Sequence, residues 1–434
     1  MKALQSLEDK FTIFCLLFFT GTLEFKSLYV IPEGNDVLAN LDDSSPLTPI
    51  LSLIQHSIFL VIIFLLALNW KNTLAAVSRN KLLIVIIILF LLSFLWSDFP
   101  DFTLRRSISL IETSLFGVYL ASRYSLKEQL KLIGISLSCS IIIHLIFTLV
   151  FPGFGIEYGR HAGAWRGTLE HKNFLGRLMF FSTLVFYIQR PETKKQSIFL
   201  KLGFIASFLV VFFSTSKTAL FSSVVFIFIL IPIYRTLQFN FISATLIQSI
   251  SLFLIGSCAT FFISNIDSIA NALKIDLTLT GRTDIWIATM YKLQERIWLG
   301  YGYQGFWRGD NGASDDVLKI MGPDGYAPHS HNGFVELALA SGLIGIVVFS
   351  ISFIVTFRSA LILAINTKTK EGLWCLVYIS FILTYNQTEI TLVEHNSIFW
   401  VIYVAISLSQ LSLSFPSKHH NSKLQPAVHN FSVK

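Results

Sequence analysis

The sequence predicts an all-α membrane protein that crosses a bilayer about twelve times. Three observations carry that expectation. Of 434 residues, 53% are hydrophobic and only 14% charged, with a mean hydropathy of +0.65, where a soluble chain carries roughly a quarter charged residues. The apolar residues are gathered into runs of roughly 17–24, the length that spans a bilayer core, and Leu82–Trp96, Leu202–Thr215 and Phe221–Tyr234 contain no charge. Finally, lysines and arginines are concentrated in alternate loops, as orientation in a membrane requires.

Taken in order, the first helix is expected over 11–31, a retained anchor with Glu24 and Lys26 near its outer end. Lys2 and Lys10 precede it, but no small-residue cleavage site follows. Further spans are expected at 47–68, 81–97, 105–122, 130–151, 173–189, 197–215, 218–234, 241–264, 333–357, 372–388 and 395–414. With the N-terminus in the cytoplasm, the inner loops receive Lys71, Arg79, Lys81, Arg123, Lys127, Lys131, Arg190, Lys194, Lys195, Arg235, Arg358, Lys368 and Lys370. The outer loops begin with Glu33, Asp36, Asp42 and Asp43, then Asp98 and Asp101. Both termini then fall in the cytoplasm. Residues 1–414 read as one membrane domain and 415–434 as a polar, disordered cytoplasmic tail.

One loop is long, 265–332 between the ninth and tenth helices, and the count puts it outside the cytoplasm. Within it Ile285, Trp286, Met290, Leu293, Ile297 and Trp298 recur at near-helical spacing, which suggests an amphipathic helix on the outer leaflet. Long ordered loops are usually functional. The net charge of +7 serves orientation and does not mark a nucleic-acid partner. Cys15, Cys139, Cys258 and Cys375 lie inside apolar runs and read as small core hydrophobes.

The informative residues are cations on the outer side: Arg105, Arg106, Arg160, Arg166, Lys172, Arg177, Lys217 and Arg282. They work against correct orientation and so ask for another role. A diphosphate on a lipid carrier sits at headgroup level, where guanidinium groups donate paired, charge-assisted hydrogen bonds. Neutralising loop carboxylates is the competing role, and Arg105 and Arg106 beside Asp98 and Asp101 suit it best.

Three segments carry the constellation. Gly159–Arg177, GRHAGAWRGTLEHKNFLGR, offers donors from Arg160, Arg166, His171 and Lys172; Asn173 either caps the next helix or meets substrate. Gly281–Trp286, GRTDIW, puts Arg282 at a helix N-terminus, which itself favours an anion; an ion pair with Asp284 is the other reading, and Thr283 or Asp284 suits the N-cap. His329–Gly345 leads into the tenth helix, where a histidine at the membrane boundary can take a proton from a hydroxyl, or simply mark the helix start. His329 and His331 lack a third ligand in their segment, so no metal or other cofactor is expected. Gly342 and Gly345 suit close helix packing. Glu389 and Glu394, in NQTEITLVEHN, either orient a histidine or hold an acceptor sugar, or are solvated. Lys217 either meets phosphate or snorkels.

At these residues the chain resembles the O-antigen ligase and polymerase superfamily, including exopolysaccharide polymerases of the ExoQ type. WRG followed by HKN and LG (Trp165–Gly176), GRTDIW, and HNGFVELALASGLIG are similar to the family's three signatures, and the last assigns the motif histidine to His331. Ligases typically show Leu four residues after the motif arginine; Trp286 stands there, which leans towards a polymerase. The resemblance implies a GT-C-like, metal-independent, inverting glycosyltransferase of the bacterial inner membrane, its large loop periplasmic. Its substrate would be undecaprenyl-diphosphate-linked oligosaccharide passed to a glycan acceptor, with a flippase and a chain-length regulator as partners in the membrane lipid. Arg166 and Arg282, with Arg160 and Lys217, would hold the diphosphate, and His331 would deprotonate the acceptor. A ligase is the close alternative. A transporter is the distant one, disfavoured because the charges sit at helix ends and no internal repeat is evident.

Overall fold

The computed structural model describes residues 2–29, 47–239, 282–308, 312–321 and 329–409. Among them the chain is helical, with one isolated antiparallel bridge, Ile156 to Trp165. The expected span at 241–264, the start of the long loop and the tail at 415–434 lie outside the described residues.

The principal helices are α1 (Lys2–Phe18), α2 (Thr48–Leu68), α3 (Trp70–Val77), α4 (Lys81–Leu92), α5 (Pro100–Arg123), α6 (Leu126–Val150), α7 (Lys172–Ile188) and α8 (Lys194–Phe213). They continue with α9 (Lys217–Thr236, with a π-turn inside it), α10 (Arg282–Glu295), α11 (Ala313–Met321), α12 (Gly333–Asn366), α13 (Trp374–Tyr385) and α14 (Ile398–Leu408). Their ends follow local chemistry. Pro100 occupies the first turn of α5, where its missing N–H costs nothing. Ser125 and Glu128 form a reciprocal capping box on α6. The Asn332 carboxamide oxygen caps α12 by accepting from the Phe334 and Val335 N–H groups.

Helix α14 is buried on all sides, and α13 is buried except at Leu383 and Thr384, as expected of helices that are apolar all round. They meet α5, α7 and α12 in an aromatic core of Phe180, Phe181, Trp374, Tyr378, Phe381, Phe399, Trp400 and Tyr403. The outer helices instead turn large apolar side chains outward: Leu53, Leu60, Phe64 and Leu68 on α2, Phe212 on α8, Phe221 and Phe228 on α9. Apolar surface this extensive suits lipid, not water, and the protein is a polytopic membrane protein.

Among the described residues, five helices are long and apolar enough to cross a bilayer, or seven if each bent pair is one span. Other expected spans within the described residues fall short of that length or apolarity for physical reasons. Helix α5 carries Asp101, Arg105, Arg106, Glu112 and Arg123. Helices α13 and α14 have 12 and 11 residues. The first expected span stops at Phe18, and the chain turns by 72° into Thr22–Leu28, through left-handed Gly21 and Phe25. Lys217 does open a separate helix, because Thr215 adopts a left-handed conformation between α8 and α9.

The expected surface helix is α10. It buries Ile285, Ala288 and Leu293 and exposes Ile287, Met290 and Tyr291, so its apolar face is rotated from the one the spacing suggested. Gly342 does more than allow packing. With φ +60° and ψ −162° it breaks α12, and the segment after α10 fills the break: Leu343 and Ile344 donate to the Ile297 and Trp298 carbonyls, and Tyr301 donates to that of Leu339. A Cβ on Gly342 would lie 2.4 Å from the Trp298 carbonyl oxygen.

Candidate active site

The turn between α13 and α14 organises the site. Asn386 is fully buried; its carboxamide oxygen accepts from the Thr391 and Leu392 N–H groups at 2.8 and 3.0 Å. Onto this turn converge the three motif segments. Gly333, opening α12, donates to the carbonyls of Asn386 and Glu389 at 2.9 and 3.2 Å. Arg282, opening α10, donates to the Thr388 carbonyl, and its Nη2 reaches Glu389 Oε1 at 3.1 Å. Asn173, at the start of α7, donates to the same Oε1 at 3.2 Å. Glu389 is 9% exposed. Burial acts to raise its pKa, but His331 and Arg282 more than offset this and hold the carboxyl below its ordinary range.

His331 faces the other carboxylate oxygen. Its Nδ1 lies 3.8 Å from Glu389 Oε2, too far for a hydrogen bond, and this buried nitrogen has no hydrogen-bond partner among the described residues. The residue also has φ +52°, a conformation that costs a non-glycine residue about 1–3 kcal/mol. Its turn is held from three sides. The Trp286 indole donates to the Ser330 carbonyl at 2.8 Å, while Glu336 accepts from the Ser330 N–H at 2.7 Å and the Trp307 indole at 2.8 Å. A strained histidine with an orphaned buried nitrogen in an over-determined turn is how a reactive group is kept in place.

The other expected residues divide. His329 braces the turn: its Nδ1 accepts from the His331 N–H at 3.2 Å, with ring centroids 4.0 Å apart. Burial, the largest cause, pushes His329 down to about 3, so it is neutral near pH 7. His171 caps α7, its Nδ1 accepting from the Asn173 N–H at 3.2 Å; it takes the capping place considered for Asn173. Lys172 contacts Thr215 through its ammonium at 3.4 Å, which brings it beside the exposed Lys217 at the head of α9. Arg160 lies in the turn Gly159–His161, with its side chain outside the described residues.

Arg166 departs most from expectation. It is 2% exposed, and its guanidinium donates to the carbonyls of Phe154, Glu170 and Ser27 at 2.8, 3.3 and 3.2 Å. A guanidinium so engaged holds the loop ahead of α7 together and does not present itself to a ligand. Arg282 pairs with Glu389 and not with Asp284.

Asn386 was not singled out in the sequence, while Asn173 and Arg177 were named there without being assigned to the site. Arg177 donates to the Ile390 carbonyl, sits 3.3 Å from Glu394, and lies over the rings of Phe174 and Phe399. Its place among the outward cations was the available signal. Glu157, His161 and His171 bring ligand atoms within 4.8 Å of one another. With Nδ1 of His171 accepting a backbone N–H, the proton of its neutral ring resides on Nε2, 3.8 Å from Glu157 Oε1. That suits a histidine–carboxylate pair, and a metal would have to displace the proton.

The fold and site define a polytopic, all-helical membrane protein with an arginine–glutamate–histidine constellation fastened to one surface turn. Residues 202–350 match the family model described as O-Antigen ligase. Over 106 residues the chain is 29% identical to the exopolysaccharide production protein ExoQ of Rhizobium meliloti (strain 1021), covering 24% of each protein. The alignment thus spans about a quarter of that relative's length. Both findings support the resemblance to the O-antigen ligase and polymerase superfamily, ExoQ-like proteins included.

Proposed function

We propose that the protein is a polysaccharide polymerase that transfers an undecaprenyl-diphosphate-linked glycan onto a lipid-linked acceptor repeat unit. The observation that carries this reading is the unpartnered Nδ1 of His331 facing the carboxylate that fastens Arg282. His331 takes the proton of the acceptor hydroxyl as its oxygen attacks the anomeric carbon. The bond from that carbon to the diphosphate breaks, and its electron pair leaves with undecaprenyl diphosphate. Arg282, oriented by Glu389 and Thr388, uses its remaining N–H groups to stabilise charge on the leaving diphosphate. Lys172 and Lys217 supply further positive charge, with Arg160 on the same outer segment. A single displacement inverts the anomeric centre, and this chemistry needs neither metal nor nucleotide.

The accompanying architecture is twelve spans in a GT-C-like arrangement in the inner membrane, both termini cytoplasmic, with 265–332 as a periplasmic loop. In the cell, a flippase would deliver the substrate and a chain-length regulator would act beside the polymerase. A ligase is the second reading, favoured by the description of the matching family model; it differs in the acceptor and not in the site.

Purified protein given lipid-diphosphate-linked repeat unit, without metal or nucleotide, tests the proposal. A ladder of repeats that disappears with His331→Ala supports a polymerase. A single transfer, seen only when a different acceptor is added, identifies a ligase. No transfer under either condition, with the protein folded, overturns both.

A further inference from the structure

We propose that a cavity at the opposite membrane surface holds the phosphate of an anionic glycerophospholipid headgroup. Helix α5 fixes its depth. Near its start, Arg106 contacts His395 of the turn that carries the candidate site, at 2.9 Å; its last residue, Arg123, lines the cavity. The 17 residues from Arg106 to Arg123, at 1.5 Å each, put the two about 26 Å apart, close to the roughly 30 Å of a hydrocarbon core. The cavity of about 320 Å³ lies where α3 meets the α5–α6 turn, its polar lining drawn from Asn72, Arg79, Ser122, Arg123, Ser125 and Ser409. That volume falls at the lower end of the roughly 300–1,000 Å³ typical of small-molecule sites.

Its rim has the character of a membrane interface. Helix α3 meets Lys81–Leu95 at 91°, so if that segment crosses the bilayer, α3 lies along its surface. Trp70 and Leu74 are exposed, and the Lys71 ammonium sits 5.7 Å from the Trp70 ring centroid. A tryptophan beside a lysine at a helix end is characteristic of headgroup level.

The charge balance then selects the ligand. Arg123 is paired through two hydrogen bonds with Glu8, at 2.7 and 2.8 Å, and Glu128 is engaged by the Ser125 N–H and hydroxyl in the α6 cap. Asp9 accepts from the hydroxyl of the lining residue Tyr124 at 3.1 Å and is not itself part of the lining. Arg79 donates to the Leu408 carbonyl at 2.6 Å and forms no ion pair among the described residues, so the lining contains a guanidinium with no carboxylate partner. Close in sequence to the lining residues stand Lys71, Lys81 and Lys131, while Lys127 is paired with Glu192 at 2.7 Å. A guanidinium with neighbouring hydroxyl donors fits a phosphodiester. Basic pockets between helices on the cation-rich face are where anionic headgroups dock. The exposed Trp70 and Leu74 beside the cavity would meet the glycerol and upper acyl chain, which a free phosphate lacks.

The full-length protein in an uncharged detergent is mixed with phosphatidylglycerol, phosphatidylcholine or inorganic phosphate, and followed by native mass spectrometry and thermal unfolding. Phosphatidylglycerol should be retained and raise the melting temperature, while the other two should not. Arg79→Gln should weaken retention at least about tenfold, as expected for one charge-assisted hydrogen bond. Because Arg79 also holds Leu408, Ala75→Phe provides a second variant, filling the cavity from an exposed position on its lining. It should abolish retention while the lipid-free protein melts as wild type. Equal retention of both lipids, or unchanged retention in Ala75→Phe, overturns the site; an equal response to inorganic phosphate overturns its assignment to lipid.

Discussion

Replacing Glu389 by glutamine keeps the side chain's size and removes the charge that fastens Arg282 and Asn173. At Oε1 the Arg282 bond, at 3.1 Å, loses its anionic partner and becomes a cation–amide bond, and the Asn173 bond, at 3.2 Å, becomes neutral. Charge-assisted bonds contribute about 1.5–3 kcal/mol and neutral ones about 0.5–1.5, so the looser guanidinium should lose about 1–2 kcal/mol of transition-state stabilisation. In kcat/KM that is a decrease of about 5–30-fold. Arg282→Ala removes the donor itself and should cost about 10²–10³-fold, the scale of one lost oxyanion donor. The double variant distinguishes the roles. If Glu389 acts by aiming Arg282, Glu389→Gln adds nothing once Arg282 is gone, and the cycle shows a coupling of about 1–2 kcal/mol. Initial rates of transfer from a lipid-diphosphate-linked oligosaccharide at subsaturating donor measure all four proteins, with melting temperature as the control for folding. Multiplying losses would refute the positioning argument, and a Glu389→Gln enzyme as fast as wild type would remove the carboxylate from the mechanism.

Three further outcomes follow from the geometry. His331→Gly relieves the left-handed strain at φ +52°, so it should melt no lower than wild type while losing transfer; a retained rate would exclude the histidine as base. Gly342→Ala forces a Cβ against the Trp298 carbonyl at a positive φ, and should destabilise the protein by more than about 1 kcal/mol; a melting curve like that of wild type would count against the break in α12. Stability should also fall as pH decreases from 6.5. The His329 and His171 pKa values are lowered to about 3 and about 4, chiefly by burial, so between those values and 6.5 the unfolded chain binds protons that the folded one does not. Stability therefore rises with pH through this window, and His329→Gln should melt with a shallower pH slope; an unchanged slope would show that His329 is not held neutral.

Membrane class was legible because it rests on composition and run length, which no tertiary contact alters. The individual spans were less so. The housing of charge within α5, the bend after Phe18 and the break at Gly342 depend on partners far along the chain: Gln55 donates to Glu112, Ile398 donates to Phe19, and Leu343 to Ile297. The same division runs through the site. Arg282 and His331 stood out because glycine, arginine and histidine recur there in short local patterns on the side expected to face outward. Arg166 stood out for the same reason, yet its guanidinium is consumed by backbone carbonyls. A basic residue in a motif thus has two fates that look alike in sequence, and the partner decides between them. For Arg282 the partner lies 107 residues away, and the asparagine sharing it lies 216 residues from that same glutamate. Glu389 therefore holds together segments whose motifs are each complete in themselves. Substitutions in the motifs should remove a chemical group, whereas substitutions at Glu389, Asn173 or Asn386 should loosen how those groups face one another.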